Sequence, residues 1–278
     1  MPRKKKTPDQ LVRESYDENP DKEWDRLAQH PTEFEITRRI IVAHLPQGPL
    51  DILDVGGGPG RYAISLARDG HRVTLLDISW SVMRLAERKA LEAGVRFEMI
   101  CGDARNLSPF PDRSFDAVLL LGPLYHIVDP EGRKQAISEA RRVLRPGGLV
   151  FAAFINLLSV VKAMAMSSPG LIRLREEFEK MLETGTYIPL EAKEPGWSGF
   201  TAAWFAHPRE INPLMESAGF STLELVNCEG FLTLVEEKLA GLSPQEQDAW
   251  LELNHRFCRD PWLLGSAEHL LYVGKLSR

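Results

Sequence analysis

Between residues 51 and 155 the chain alternates two hydrophobic rhythms: short unbroken apolar runs, and longer segments whose apolar positions return every three or four residues. The runs predict strands: DILDV (51–55), HRVTLLDIS (71–79), VRFEMICGDA (95–104), SFDAVLLLG (114–122) and GLVFAAFI (148–155). The fourth is apolar on both faces, as a strand inside a parallel sheet has to be. The segments between them predict helices: RYAISLARDG (61–70) closed by Gly70, WSVMRLAERKALEAG (80–94) closed by Gly94, and GRKQAISEARRVLRPGG (132–148). In the last of these, apolar residues at 136, 137, 140, 143 and 144 form one stripe. Strands and helices in this alternation imply right-handed βαβ units and an α/β fold, a doubly wound Rossmann-like sheet.

After residue 155 the alternation stops. A helical pattern covers 157–184, and a stretch rich in Gly, Pro and aromatic residues at 185–200 reads as a loop. HPREINPLMESAGF (207–220) predicts a helix ending at Gly219, STLELVNCEG (221–230) a strand, 231–258 more helix, and EHLLYVGKL (268–276) a closing strand. The first 50 residues are mainly helical in pattern. The expected organisation is a helical cap (1–50), a core (51–155), a lid insertion (156–205), and a C-terminal part of the core (206–278) carrying a helical insertion at 230–266.

Composition narrows the function. At 44% hydrophobic and 26% charged, the chain is ordinary for a globular protein with a sizeable core. Its one basic cluster is PRKKK at 2–6; removing those four charges from the net of −5 leaves −9. An acidic body argues against non-specific nucleic-acid binding. Cys101, Cys228 and Cys258 lie far apart with no metal spacing, so reduced thiols in a cytoplasmic protein are expected, with no metal site. No apolar run has the length of a membrane span, and polar residues fill 1–35, so neither a membrane anchor nor a signal peptide is expected.

The candidate chemistry begins at ILDVGGGPGRY (52–62), where four glycines fall within five residues at the end of the first strand. Gly56, Gly58 and Gly60 permit positive φ and close approach of a ligand to the backbone. A dinucleotide loop would put its last glycine where Arg61 stands, which disfavours an NAD-dependent oxidoreductase, and no Walker lysine follows Gly60. Two further acids close strands: Asp77, 21 residues beyond Gly56, suited to a ribose diol, and Asp103, suited to an adenine amine. Glycines, a ribose acid and an adenine acid, one per strand end, outline a nucleoside site.

These segments, with VTLLDIS, MICGDARNL, FDAVLLLGPLYHI and LRPGGLVFAAFI, resemble in order the motifs of class I S-adenosylmethionine-dependent methyltransferases. The resemblance covers about 51–155; HPREINPLMESAGF and the closing strand resemble the family's later elements. It implies a sheet of seven strands with the last antiparallel, S-adenosylmethionine as cofactor and S-adenosylhomocysteine as product. It implies that Asp54, Gly56, Gly57, Gly58 and Gly60 line the methionine end, that Asp77 holds the ribose with Ile78 beside the adenine, and that Asp103 and Ala104 meet the adenine edge. Leu121 and Gly122 would lie under the cofactor near the sulfonium. The segment SYDENPDKEWDRL resembles an opening found in small-molecule members, which points Tyr16 at the cofactor's carboxylate end, with Arg38 or Arg39 near it or else on the surface.

Methyl transfer from a sulfonium is an in-line displacement, so the protein mainly aligns the reactants and takes a proton from a hydroxyl or ammonium acceptor. His126, in GPLYHI after the fourth strand, is the leading candidate base, with Tyr125 orienting the acceptor or packing on the cofactor. His207 is a second candidate base or a helix-start residue; Glu268 and His269 are further candidates. Tyr187, Trp197, Phe200, Trp204 and Phe205 either wall an apolar substrate pocket or form the lid's own core. The expectation is a methyltransferase acting on oxygen or nitrogen of a small molecule, as monomer or homodimer. Its rivals are an RNA or protein methyltransferase, which needs a basic face, and a non-catalytic module that binds S-adenosylmethionine.

Overall fold

A computed structural model describes residues 6–29, 31–167, 169–189, 200–233 and 235–277. Its centre is a seven-stranded sheet: β1 (Asp51–Val55), β2 (Arg72–Asp77), β3 (Glu98–Cys101), β4 (Phe115–Leu120), β5 (Leu144–Ile155), β6 (Phe220–Asn227) and β7 (His269–Leu276). The spatial order is β3-β2-β1-β4-β5-β7-β6. The first five strands pair in parallel, while β7 runs antiparallel between β5 and β6, as the family resemblance implied. The order reverses between β1 and β4, which opens a crevice at their carboxyl ends.

Helices cover both faces. On one lie α3 (Pro31–His44), α4 (Arg61–Arg68) and α5 (Trp80–Glu92), burying Ile36, Ile40, Leu66 and Met83 against Ile52, Leu119 and Phe151. On the other lie α7 (Pro130–Val143) and α10 (Pro208–Ser217), burying Ile137, Ala140, Ile211 and Met215 against Val118, Val150 and Tyr272. The stripe read from the sequence is the buried face of α7: Ala136, Ile137, Ala140 and Val143 are buried. Each fully buried Leu or Ile in these layers contributes roughly 1.5–3 kcal/mol. Side chains cap the helix starts: Ser79 accepts from the Val82 amide at 3.3 Å and Asp129 from the Gly132 amide at 2.7 Å.

Two boundaries differ from the sequence reading. The helix expected to run to 148 ends at Val143, and Arg-Pro-Gly-Gly belongs to β5. There the β4–β5 register slips, from Phe115↔Leu144 to Ala117↔Leu149. Gly147 (φ +80°) takes the turn, and a Cβ on Gly148 would sit 2.9 Å from the Asp116 carbonyl, so the glycines mark a bulge inside a strand. Strand β3 pairs only over Glu98–Cys101, because Asp77 ends the ladder on β2.

The cap is α1 (Pro8–Glu18), α2 (Pro20–Gln29) and α3. After β5 come α6's later neighbours: α6 itself is the single turn Pro123–His126 after β4, and α8 (Leu157–Ser167) and α9 (Arg175–Thr184) follow β5. A two-residue ribbon pairs Thr186–Tyr187 with Ala203–Trp204. These elements share a small core of Tyr125, Ile155, Leu157, Met164, Met181 and Phe205. Between β6 and β7 the main element is α11 (Pro244–Phe257), tied to the cap by Arg39 donating to Asp248 at 2.8 Å.

Candidate active site

The carboxyl ends of β1 to β4 open into a cleft closed on one side by α1. Of the fifteen residues singled out from the sequence, thirteen line it: Tyr16, Asp54, Gly56, Gly57, Gly58, Asp77, Ile78, Asp103, Ala104, Leu121, Gly122, Tyr125 and His126. Gly60 and His207 are not among its lining residues. Gly60 starts α4 with φ +80°, and a Cβ there would sit 3.2 Å from Phe97 and 3.3 Å from Ala86, so it is required for helix packing. His207 is the N-cap of α10: its Nδ1 accepts from the Arg209 amide at 3.2 Å.

The loop after β1 is built around absent side chains. Gly56 holds φ +68°, and a Cβ on it would meet Pro123 at 2.9 Å. A Cβ on Gly57 would lie 2.7 Å from the Asp54 carboxylate and 2.9 Å from Leu75. The bare main chain forms the cleft floor, while the Gly58 amide donates to Asp77 Oδ2 at 2.9 Å. The Ser79 amide donates to Asp77 Oδ1 at 2.9 Å. Burial pushes the Asp77 carboxyl up, against the pull of these amides.

Asp54 is more isolated. It is 1% exposed, and neither carboxylate oxygen has a hydrogen-bond partner among the described residues. The Ala63 amide lies near enough to favour the charge without meeting hydrogen-bond geometry. Burial, and then the Asp77 charge, push its carboxyl up to about 7. An orphaned acid beside a bare backbone fits a cationic amino-acid end, the feature that the methionine moiety presents.

Asp103 is forked by a residue the sequence reading passed over. Arg105 donates from Nε at 3.0 Å to Oδ1 and from its terminal nitrogen at 2.6 Å to Oδ2, and its amide reaches Oδ1 at 2.8 Å. Burial acts to raise the Asp103 carboxyl, but the Arg105 bonds outweigh it and hold it below the ordinary range. Arg105 also donates to Asp9 on α1 at 2.8 Å. Two more contacts fasten α1 here: Ser79 donates to Asp17 at 2.5 Å, and Arg13 to the Ile78 carbonyl at 3.2 Å. Helix α1 thus closes over the strand ends that carry the nucleoside-site acids.

His126 ends α6 and is 8% exposed. Its Nδ1 faces the Ala202 carbonyl at 3.4 Å; a carbonyl only accepts, so Nδ1 carries the proton and Nε2 accepts from the Tyr16 hydroxyl at 2.7 Å. Phe200 stacks on the imidazole at 5.6 Å and 12°, and Tyr125 meets it edge-on at 4.7 Å. The Tyr125 hydroxyl donates to the Leu121 carbonyl at 3.4 Å.

The lid aromatics divide. Phe200 faces the cleft through His126, Phe205 lies in the lid core with Tyr187 at 6.1 Å, and Trp204 turns away to Phe154 and the Arg133 guanidinium, 3.9 Å from its ring. Trp197 lies outside the described residues. Arg38 and Arg39 fork Glu35 on the outer surface of α3, away from the cleft, which settles the alternative left open for them. Glu268 contributes its amide to Glu229 at 3.1 Å. His269 Nδ1 donates to Glu229 Oε1 at 2.6 Å, with Glu33 Oε2 at 3.6 Å. Among the described residues these three, Glu33, Glu229 and His269, form the one cluster with metal-donor types, and only Glu33 of them lines the cleft.

Comparison with known proteins agrees with this geometry. A family described as "Methyltransferase domain" matches residues 52–148. A ubiquinone biosynthesis O-methyltransferase of Chromobacterium violaceum is 31% identical over 164 residues, covering 56% of this chain and 69% of that protein. One from Yersinia pestis (strain Pestoides F) is 33% identical over 136 residues, 49% of this chain, and the chain spans about half of it, 52%. In fold, the chain is similar to the 1,6-didemethyltoxoflavin-N1-methyltransferase of Burkholderia thailandensis, solved with 1,6-didemethyltoxoflavin and S-adenosylhomocysteine, at TM-score 0.60 and 15% identity, covering 100% of this chain and 94% of that one. With the glycine loop, the strand-end acids and the β5-β7-β6 edge all in place, the chain belongs to the class I S-adenosylmethionine-dependent methyltransferases.

Proposed function

We propose that this enzyme moves the methyl group of S-adenosylmethionine to an oxygen of a small molecule held between the cap and the lid. The observation that carries the reading is the shared cleft: the glycine loop, Asp77 and Asp103 line it together with Tyr16, Tyr125 and His126. Oxygen is favoured because the matched relatives are named O-methyltransferases and because a hydroxyl acceptor needs a path for its proton. The rings of Tyr16, Tyr125 and Phe200 around His126 suit an apolar or planar acceptor.

When bound, S-adenosylmethionine supplies an electrophilic methyl on a positively charged sulfur. Asp77, fixed by the Gly58 and Ser79 amides, would accept from the ribose hydroxyls. Ala104 and Ile78 would flank the adenine, and Leu121 and Gly122, which line the same cleft, would support the reacting end. Tyr16 receives the acceptor's hydroxyl proton as it passes its own to His126 Nε2, and the Ala202 carbonyl steadies the imidazolium through Nδ1. The bound cofactor would supply the methyl to the acceptor oxygen, with its carbon–sulfur bond breaking to give S-adenosylhomocysteine. Helix α1 lines the cleft through Asp9, Val12 and Tyr16.

We place the enzyme in the cytoplasm, where Cys101, Cys228 and Cys258 stay reduced, acting as a monomer or homodimer. No helix among the described residues is long and apolar enough to cross a membrane. The test is S-adenosylhomocysteine formation against a panel of phenols, carboxylic acids and amines. Turnover with hydroxyl acceptors is expected. Turnover confined to amines would overturn the oxygen assignment, and salt-sensitive methylation of RNA alone would overturn the small-molecule one.

A further inference from the structure

Asp54 poses a problem that cofactor binding would solve. The carboxyl group is buried to 1% exposure at the end of β1, and neither oxygen finds a donor among the described residues. An ionised carboxylate without partners is among the costliest groups a protein can bury, and such a group takes up a proton instead. Its neighbours reinforce this. Asp77, on the adjacent strand, acts on it as a like charge, and Asp77 in turn feels Asp17 from α1. From the cap, Glu23 and Glu33 line the same cleft. The two arginines of the lining are engaged with other groups: Arg61 stacks on Trp24 at 4.0 Å and donates to its carbonyl, and Arg105 forks Asp103. From α4, the Ala63 amide gives partial relief.

We propose that Asp54 is a neutral acid in the cofactor-free protein and releases its proton to solvent when the cofactor's α-ammonium group arrives, so that binding S-adenosylmethionine and ejecting a proton are one event. This rests on the reading above that the methionine end lies on the glycine loop. The exchange balances: Asp54–COOH and R–NH3⁺ become an Asp54–COO⁻/R–NH3⁺ pair and one H⁺ in solvent. The cation turns the least favourable acid of the cleft into a charge partner, and the protein avoids holding a bare carboxylate there between turnovers. The proton linkage follows. With the free carboxyl near 7, cofactor affinity climbs as pH rises toward neutrality and levels off above it.

The test is calorimetry of S-adenosylhomocysteine binding, which carries the same amino-acid end, in two buffers of different ionisation enthalpy, for the wild type and Asp54→Asn. The wild type is expected to release more protons per ligand than D54N at pH 6, an excess that fades by pH 8.5. Relative to D54N, its affinity should strengthen as pH rises toward 7 and level off above it, by at most about tenfold per pH unit. Equal release in both proteins overturns the inference, since the proton would then come from Asp77 or another group. If D54N does not fold, absence of proton release by the wild type at pH 6 overturns it alone. Wild-type affinity in folded D54N at every pH would instead overturn the placement of the methionine end. Weakened D54N binding without wild-type proton release would leave that placement standing and sink only the proton linkage.

Discussion

The hydroxyl of Tyr16 meets Nε2 of His126 at 2.7 Å, across 110 residues of sequence. One belongs to the N-terminal cap and the other to the turn after β4, so the cap supplies half of the proposed proton path. His126→Ala should lower kcat by about 10²–10⁴-fold while leaving S-adenosylhomocysteine affinity within a few-fold. Tyr16→Phe, which removes the hydroxyl that links the acceptor to His126, should lower kcat too. Wild-type turnover by H126A would remove the base assignment.

Asp77 serves the ligand and the loop together. Asp77→Ala should weaken cofactor binding about 10- to 100-fold, from the loss of charge-assisted hydrogen bonds worth about 1.5–3 kcal/mol. It also leaves the Gly58 and Ser79 amides without their acceptor, so its Tm should fall. Asp77→Asn keeps the shape and retains more of the Tm than the affinity. Calorimetry with unchanged affinity in D77A would refute the ribose role.

Gly57 has no room for a methyl group. Gly57→Ala presses on the Asp54 carboxylate at 2.7 Å and Leu75 at 2.9 Å, and should destabilise the fold by about 1–3 kcal/mol. Denaturant unfolding measures this directly. A neutral result would mean that the loop relaxes freely, contrary to its packing.

The Arg105 link between Asp103 and Asp9 should hold the cap over the nucleoside-site strand ends. Arg105→Ala should speed hydrogen exchange in residues 8–18 and leave β4 and β5 unchanged. The pH dependence has a definite sign. Asp103 has a carboxyl lowered in the folded state, so its contribution is present above the ordinary value of 3.8 and lost as pH falls through the folded value. Wild type and R105A should therefore differ in Tm at pH 7 and converge in strong acid. A constant difference at all pH values would show that Arg105 acts through packing alone.

Much of the site was legible because its residues are close in sequence to strand ends that announce themselves. Asp54, Asp77 and Asp103 each follow an apolar run, and each lines the cleft. At other positions the packing around the residue had to decide. Gly60 looked like its neighbours in the loop, yet its Cβ direction points at Phe97 and Ala86 rather than into the cleft. His207 precedes a proline at a helix start, and the position of α10 shows that it caps that helix. Arg38 and Arg39 lie on the same helix as Glu33, the α3 residue that lines the cleft, but do not line it themselves.

The sequence by itself determined the parallel core, the glycine loop and the order of strand-end acids, because hydrophobic period and glycine placement act over a few residues. It also supported the cofactor, since those acids recur at each turn of one repeating unit. Only the tertiary structure decided that Tyr16 meets His126, that Arg105 ties Asp103 to the cap, and that Asp54 lies buried without a donor. Those are pairings between distant segments and the burial that packing imposes, and neither leaves a local mark on the chain.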